Sequence, residues 1–250
     1  MPITVAVLLS CGRVGEGEGK VKAKRVLLSF EADSGWGAMT PEGKVLFFIR
    51  GAKYLGKFSE GLAPFSPDGM RYGYVDTLGK VVVPPRLIWT GEFKEGMATV
   101  KDRRNRRYGV IGKDGEYRIP PKYLHVERAG YGLFWGRTEE GWILLDTSGR
   151  RLTDSYVEEV YPFTGAGWTK VKTGDGWGII DTSGRWLVKP KYRYVDLYTE
   201  DVFLVRDSTG WGYVRAGKVI YWRNLPEVPS VESLKVAPEV KIEITPPKLK

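Results

Sequence analysis

An aromatic residue followed by glycine recurs along this 250-residue chain at a nearly fixed interval, and no other feature restricts the fold as much. The pairs Trp36-Gly37, Tyr72-Gly73, Tyr108-Gly109, Trp177-Gly178 and Trp211-Gly212 are joined by Trp142, where Ile143 replaces the glycine. The steps between these anchors are 36, 36, 34, 35 and 34 residues. Other residues keep the same phase. Seven residues after the anchor comes Gly43, Gly79, Gly115, Gly149 or Gly184, and Gly217 arrives one residue early. A charged residue follows each of these glycines: Lys44, Lys80, Glu116, Arg150, Arg185 and Lys218. Prolines stand farther on, at Pro84-Pro85, Pro120-Pro121 and Pro190. A period of this length marks an array of small units. One unit cannot bury an apolar face alone, and stacked neighbours bury it together.

The second unit shows what is repeated. The segment "GLAPF" reads as a short apolar strand and "SPDGMR" as a turn-rich connection. "YGYVD" alternates with aromatic and β-branched residues, so it reads as a strand. In "DTLGK", Asp76 can accept backbone N–H groups and Gly79 can take positive φ, which makes a hairpin loop. "KVVVPP" reads as a third strand whose prolines, lacking N–H donors, should end it or place it at an edge. "LIWTGEF" supplies a short fourth strand. Asp146 and Asp181 share the phase of Asp76, and a turn-former, unlike a catalytic acid, is expected in several units. The aromatic anchors are read as packing residues that carry buried area.

The phrase "FSEGLAPF…YGYVDTLGKVVVPP" is similar to the bacterial WG-repeat (KWG) family, whose units read Phe-x-Glu-Gly-Leu-Ala, Trp/Tyr-Gly-Tyr-Ile-Asp, Gly-Lys and Ile-Pro-Pro. The resemblance runs from about Phe30 to Asn224. It is strong in the second, third and fifth units and weaker in the first, fourth and sixth. It implies a repeat architecture, a bacterial source and an interaction or cell-envelope module, and it assigns no catalytic residue.

The expected fold is all-β, with about six repeats of short antiparallel strands. Two arrangements satisfy the pattern: a six-bladed β-propeller-like ring, or an open β-hairpin solenoid. In the ring, the apolar "ITVAVLLS" near the N-terminus would complete the last blade. The chain divides into an N-terminal segment 1–29, a repeat domain 30–224 and a Pro-rich, charged tail 225–250. Thirty-two Gly and fifteen Pro suit such a turn-rich β protein.

Composition narrows the chemistry. One Cys, Cys11, excludes an internal disulfide framework, and one His, His125, excludes a His-based metal cluster within the chain. His125 lies in alternating "KYLHVER" and reads as a strand residue. No apolar run reaches the ~18 residues of a membrane-spanning helix. No cofactor motif is present: "GRVGEGEGK" (12–20) lacks phosphate-loop spacing and reads as a linker. The formal net charge is +9, and the tail from Leu225 balances four Glu with four Lys. The excess therefore lies in the body, which favours acidic partners.

The sharpest local signal is "KDRRNRRYG", where Arg103, Arg104, Arg106 and Arg107 fill the loop between two strands of the third unit. Loops on one edge of an array are natural binding positions, and arginines can fork onto carboxylates or phosphates. A second signal is Leu8-Leu9-Ser10-Cys11-Gly12, which resembles a lipoprotein lipobox with Cys11 as the acceptor. It implies the bacterial envelope, with the cytoplasm as the alternative. The reading that results is a non-enzymatic repeat module binding a protein or an anionic polymer, with nucleic acid less favoured. The alternatives are a glycan-acting hydrolase using paired carboxylates in a central funnel, and a structural subunit of a larger assembly.

Overall fold

The computed structural model describes residues 26–199, 201–215 and, as backbone, 218–222. Every element among them is a β-strand. The first unit holds β1 (Leu28–Ala32), β2 (Gly35–Met39) and β3 (Val45–Arg50). Then come β4 (Tyr54–Leu55), β5 (Leu62–Ser66), β6 (Tyr72–Asp76), β7 (Val81–Thr90), β8 (Met97–Asp102), β9 (Tyr108–Gly112) and β10 (Tyr117–Tyr123). The fourth unit has β11 (His125–Gly130), β12 (Leu133–Arg137) and β13 (Trp142–Leu145). The fifth has β14 (Trp168–Thr173), β15 (Gly176–Asp181) and β16 (Trp186–Tyr192). The last strands are β17 (Tyr194–Leu197), β18 (Val202–Arg206), β19 (Trp211–Arg215) and β20 (Lys218–Trp222). All pairings are antiparallel between strands consecutive in sequence, so the fold is a chain of meanders. The fourth unit lacks the strand after its anchor strand β13; only the bridges Leu145↔Arg151 and Trp142↔Val157 stand there.

A full unit is thus four strands, a to d, with the anchor opening strand c. The prolines do not end strand d, as the sequence suggested. Strand β7 runs through Pro84-Pro85, leaves its pairing with β6 and takes up β8, so it is strand d of one unit and strand a of the next. The ladder steps from Tyr74↔Val83 to Tyr72↔Leu87, four residues against two, and the prolines fall in that bulge. No ladder bond needs their missing N–H groups there. The bulge presses on the glycine after the anchor. A Cβ on Gly73 would stand 2.2 Å from Val83 O, one on Gly109 2.6 Å from Ile119 O, and one on Gly178 2.7 Å from Val188 O. The aromatic-glycine pair and the downstream proline are therefore two halves of one contact. The fourth unit, without proline or strand d, has Ile143 in place of the glycine.

The core lies between units. Five buried clusters occur among the described residues, each drawn from two consecutive units. The cluster joining the second and third units packs Tyr74, Val83 and Leu87 against Phe93, Val100 and Ile111. Tyr74 and Phe93 meet edge to face at 4.9 Å. This is how units too small to fold alone become stable. The segment 3–10 expected to close a ring, the linker 12–20, Cys11 and the tail from Leu225 lie outside the described residues.

Candidate functional site

Antiparallel strands give the array two ends. The a–b and c–d turns lie at one, the b–c hairpins and d–a passages at the other. The first end is nearly identical from unit to unit. The c–d turns starting at Thr40, Asp76, Gly112, Asp146 and Asp181 make the same two backbone bonds, all 2.9–3.1 Å long. Their glycines all have φ between +80° and +85°. Asp76 Oδ1 accepts the N–H groups of Leu78 and Lys80, each at 2.9 Å. Asp146 and Asp181 do the same for Ser148 and Arg150, and for Ser183 and Arg185. Partial burial pushes the Asp146 carboxyl up, but hydrogen bonds from Ser148 and Arg150 outweigh it and hold the group at about 2. These aspartates form turns, as the sequence predicts. The a–b turns also link units: Glu60 Oε1 and Oε2 accept N–H groups of Glu95 and Gly96 in the next unit at 2.7 and 2.9 Å.

The other end varies. Strand register sets three residues in a row there: an aromatic on strand a, a cation on strand b and the anchor on strand c. The rows are Trp89–Lys101–Tyr108, His125–Arg137–Trp142 and Tyr194–Arg206–Trp211. Each cation lies over its anchor ring, at 4.9, 5.5 and 5.3 Å from the centroid. The fifth unit keeps Lys172 over Trp177 at 5.9 Å but pairs it with Glu159 at 2.8 Å. Within its row Tyr108 meets Trp89 at 5.8 Å, and rows also touch across units, since Tyr108 meets His125 at 4.9 Å. Five of the anchors (Trp36, Tyr72, Tyr108, Trp142 and Trp177) pack against the buried clusters, as expected of packing residues, but by one side only. Tyr72, Tyr108, Trp142 and Trp177 are half-buried and Trp211 is 45% exposed, because they stand at the strand ends beside solvent.

The basic loop belongs to this end. Arg103, Arg104, Arg106 and Arg107 form the b–c hairpin of the third unit, directly beyond Lys101 and before Tyr108. Its backbone is held from within. Asp102 Oδ1 accepts Arg104 N–H at 2.7 Å, and Asp102 Oδ2 accepts the Tyr117 hydroxyl at 2.8 Å. Burial and that hydrogen bond raise the Tyr117 pKa. Asn105 Nδ2 donates to Pro121 O at 2.6 Å, and Arg106 sits in the left-handed region at φ 58°. Arg107 Nη2 meets Glu139 Oε1 at 3.2 Å, while Arg103, Arg104 and Arg106 have no ion pair among the described residues. His125 is a strand residue, as expected, and it contributes a ring to the second row.

Sequence reasoning missed Lys101, Arg137 and Arg206. They stand seven, five and five residues before their anchors, so unequal hairpins hide their phase. Tyr54, Trp89, His125 and Tyr194 were findable, at 18, 17, 17 and 17 residues after an anchor. An open cleft of ≈ 470 Å³ lies at the same end between the fifth and sixth units, lined by Lys172, Trp177, Lys191, Arg193, Glu158 and Asp207 among others. Slight desolvation pushes the Asp207 carboxyl up, but bonds from Thr209 and from the Thr209 and Gly210 N–H groups outweigh it and lower its pKa. A glycosidase acid needs the opposite shift. Among the described residues no three His, Cys, Asp or Glu side chains gather as a metal site.

The model of the WG containing repeat matches residues 72–103 and 177–208. No curated protein matches the chain. Among solved structures it is similar to BamB from Moraxella catarrhalis, at 12% identity over 75% of this chain and 69% of that one, with a TM-score of 0.34. It is also similar to Kluyveromyces lactis Hsv2, at 8% identity over 81% and 84%, with a TM-score of 0.42. The WD40 beta propeller domain of Doa1 aligns at 10% identity over 80% of each chain, with a TM-score of 0.33.

Proposed function

We propose that this chain, which the WG containing repeat matches at residues 72–103 and 177–208, is a non-catalytic binding module that engages another macromolecule, a protein in the first instance, at the variable end of its array. The observation that carries this reading is the third-unit hairpin. Four arginines stand on a backbone fixed by Asp102 and Asn105, and three of them lack an ion pair among the described residues. A loop held rigid with charges left open loses little entropy when a ligand binds. At the other end Asp76, Asp146, Asp181 and Glu60 are engaged in turns and in links between units.

The test uses the full chain and the variant R103A/R104A/R106A/R107A. Both are crosslinked to membrane and soluble fractions of the native host, and folding is checked by circular dichroism. A partner captured by the wild type and lost with the folded variant supports the binding edge. Capture indifferent to the four changes overturns it. Placement at the bacterial envelope through Cys11 is part of the same proposal and rests on Leu8–Gly12 alone. Native intact mass tests it: a lipid-modified Cys11 is expected, and an unmodified Met1 or Cys11 rejects it.

A further inference from the structure

We infer that the cation–aromatic rows of the third and fourth units bind an extended acidic segment of a protein partner, with carboxylates seated on Lys101 and Arg137. This inference rests on the binding-edge reading and names the chemistry of its ligand. Lys101 is flanked in register by Trp89 and Tyr108, and Arg137 by His125 and Trp142. The two rows abut through Tyr108 and His125, whose ring centroids are 4.9 Å apart. A ligand crossing from one unit to the next therefore meets a continuous surface with one cation per unit.

The cations are fixed and unneutralised. Their stems are held between strands and their heads lie over anchor rings, at 4.9 Å for Lys101 and 5.5 Å for Arg137. Neither makes an ion pair among the described residues. Where a carboxylate does occupy the row, in the fifth unit, Lys172 pairs with Glu159 at 2.8 Å. That pair shows within the molecule what the two open rows accept. The acid there comes from the segment before β14, bridged to Lys172 at Glu159; in the third and fourth units strand a supplies Trp89 and His125 at that place, and the acid must come from outside. The His125 imidazole has Glu127 at 3.2 Å, which leaves Arg137 itself unneutralised.

The same geometry selects among anionic ligands. Single-stranded nucleic acid is held by bases stacking on open aromatic faces. Here a face of Tyr108 and of Trp142 already carries the chain's own cation, so a base or sugar ring stacking there would have to displace it. The rows present the heads of Lys101 and Arg137, and such heads suit carboxylate oxygens. Trp, Tyr and Arg are also the residues in which protein-interface hot spots are enriched. The net charge of +9 draws an acidic segment toward the body, and Arg103, Arg104 and Arg106 widen the positive surface beside the first row.

The experiment measures anisotropy of three labelled probes against the full chain at low and high salt: an alternating Glu-Ser peptide, oligo-dT and an oligogalacturonate. The variant K101M/R137M removes both charges and keeps apolar stems, with its fold checked by circular dichroism and melting. The wild type is expected to bind the peptide best, more weakly as salt rises, and the variant to lose on the order of tenfold per cation. Preference for oligo-dT or the oligogalacturonate, peptide binding unchanged in the folded variant, or no binding of the peptide overturns the inference. Each of these leaves the binding-edge reading to its own four-arginine test. Should K101M/R137M fail to fold, R137K with K101R keeps both charges, and its retained peptide binding beside loss in R137M alone decides the question.

Discussion

The two ends of the array are made by the same strands, yet they differ in what the repeat holds constant. At the uniform end, five c–d turns superpose their backbone bonds to within 0.2 Å, from 2.9 to 3.1 Å, although their first residues are Thr, Asp, Gly, Asp and Asp. At the variable end the b–c hairpins differ in length and charge. Units with a short hairpin place a glycine directly before the anchor: Gly35, Gly141, Gly176 and Gly210, all with φ between +125° and +154°. The second and third units have longer hairpins and place Arg71 and Arg107 there instead. A tight turn leaves no room for a side chain at that position; a longer one does. Loop length is thus what lets a cation take the place of a structural glycine before the anchor.

The largest effect that would sharpen this contrast comes from paired glycine substitutions. Gly184, at the uniform end, has φ +81°, and a Cβ there would stand 2.4 Å from Leu152 O. Gly184→Ala should cost about 3 kcal/mol in urea unfolding, from left-handed strain plus a backbone clash. Gly174, in the fifth-unit hairpin, would place its Cβ no closer than 3.8 Å to Glu158 Oε1. Gly174→Ala should stay within about 0.5 kcal/mol of wild type. Equal costs for the two would erase the difference between the ends.

A smaller effect depends on pH. Asp146 has an ordinary value of 3.8 and a folded value of about 2. A lowered folded pKa contributes stability above the unfolded value and loses it as pH falls through the folded one. Asp146→Ala should therefore cost about 1–2 kcal/mol near neutral pH, where two backbone N–H groups lose their acceptor. Below pH 3.8 the gap between variant and wild type should narrow, most of it gone once pH has passed through about 2. A gap independent of pH would show that the carboxylate charge does not hold this turn.

Much of this was legible in the sequence, and the part that was not has one physical cause. The period, the strands flanking Asp76, the αL glycines and the exposed arginine loop follow from local chemistry: alternation, turn formers and charge. The passage of β7 through Pro84-Pro85 does not, because proline's exclusion from ladders assumes one partner strand. Here the strand changes partners at the prolines, whose backbone lies against Gly73 across the sheet. The rows were hidden for a related reason. Trp89, Lys101 and Tyr108 are neighbours by cross-strand register, and unequal hairpins scatter such neighbours along the chain. Half-burial of the anchors was missed because aromatic size suggests a core residue, whereas a strand end beside solvent holds a ring by one side only.

The smallest predicted effect addresses whether the basic hairpin is shaped for stability or for its charges. Arg106 adopts φ 58°, a region where an L side chain costs about 1–2 kcal/mol and glycine costs nothing sterically. Glycine instead gives up about 0.5–1 kcal/mol through its freer unfolded chain. Arg106→Gly should therefore leave stability unchanged or raise it by up to about 1.5 kcal/mol. The same variant should weaken binding of the acidic peptide, since it removes an unpaired cation beside Lys101. A fold at least as stable with a weaker ligand means that the strained residue is kept for its side chain. A loss of stability would mean that the guanidinium holds the hairpin itself, and the variable end would then be as structural as the uniform one.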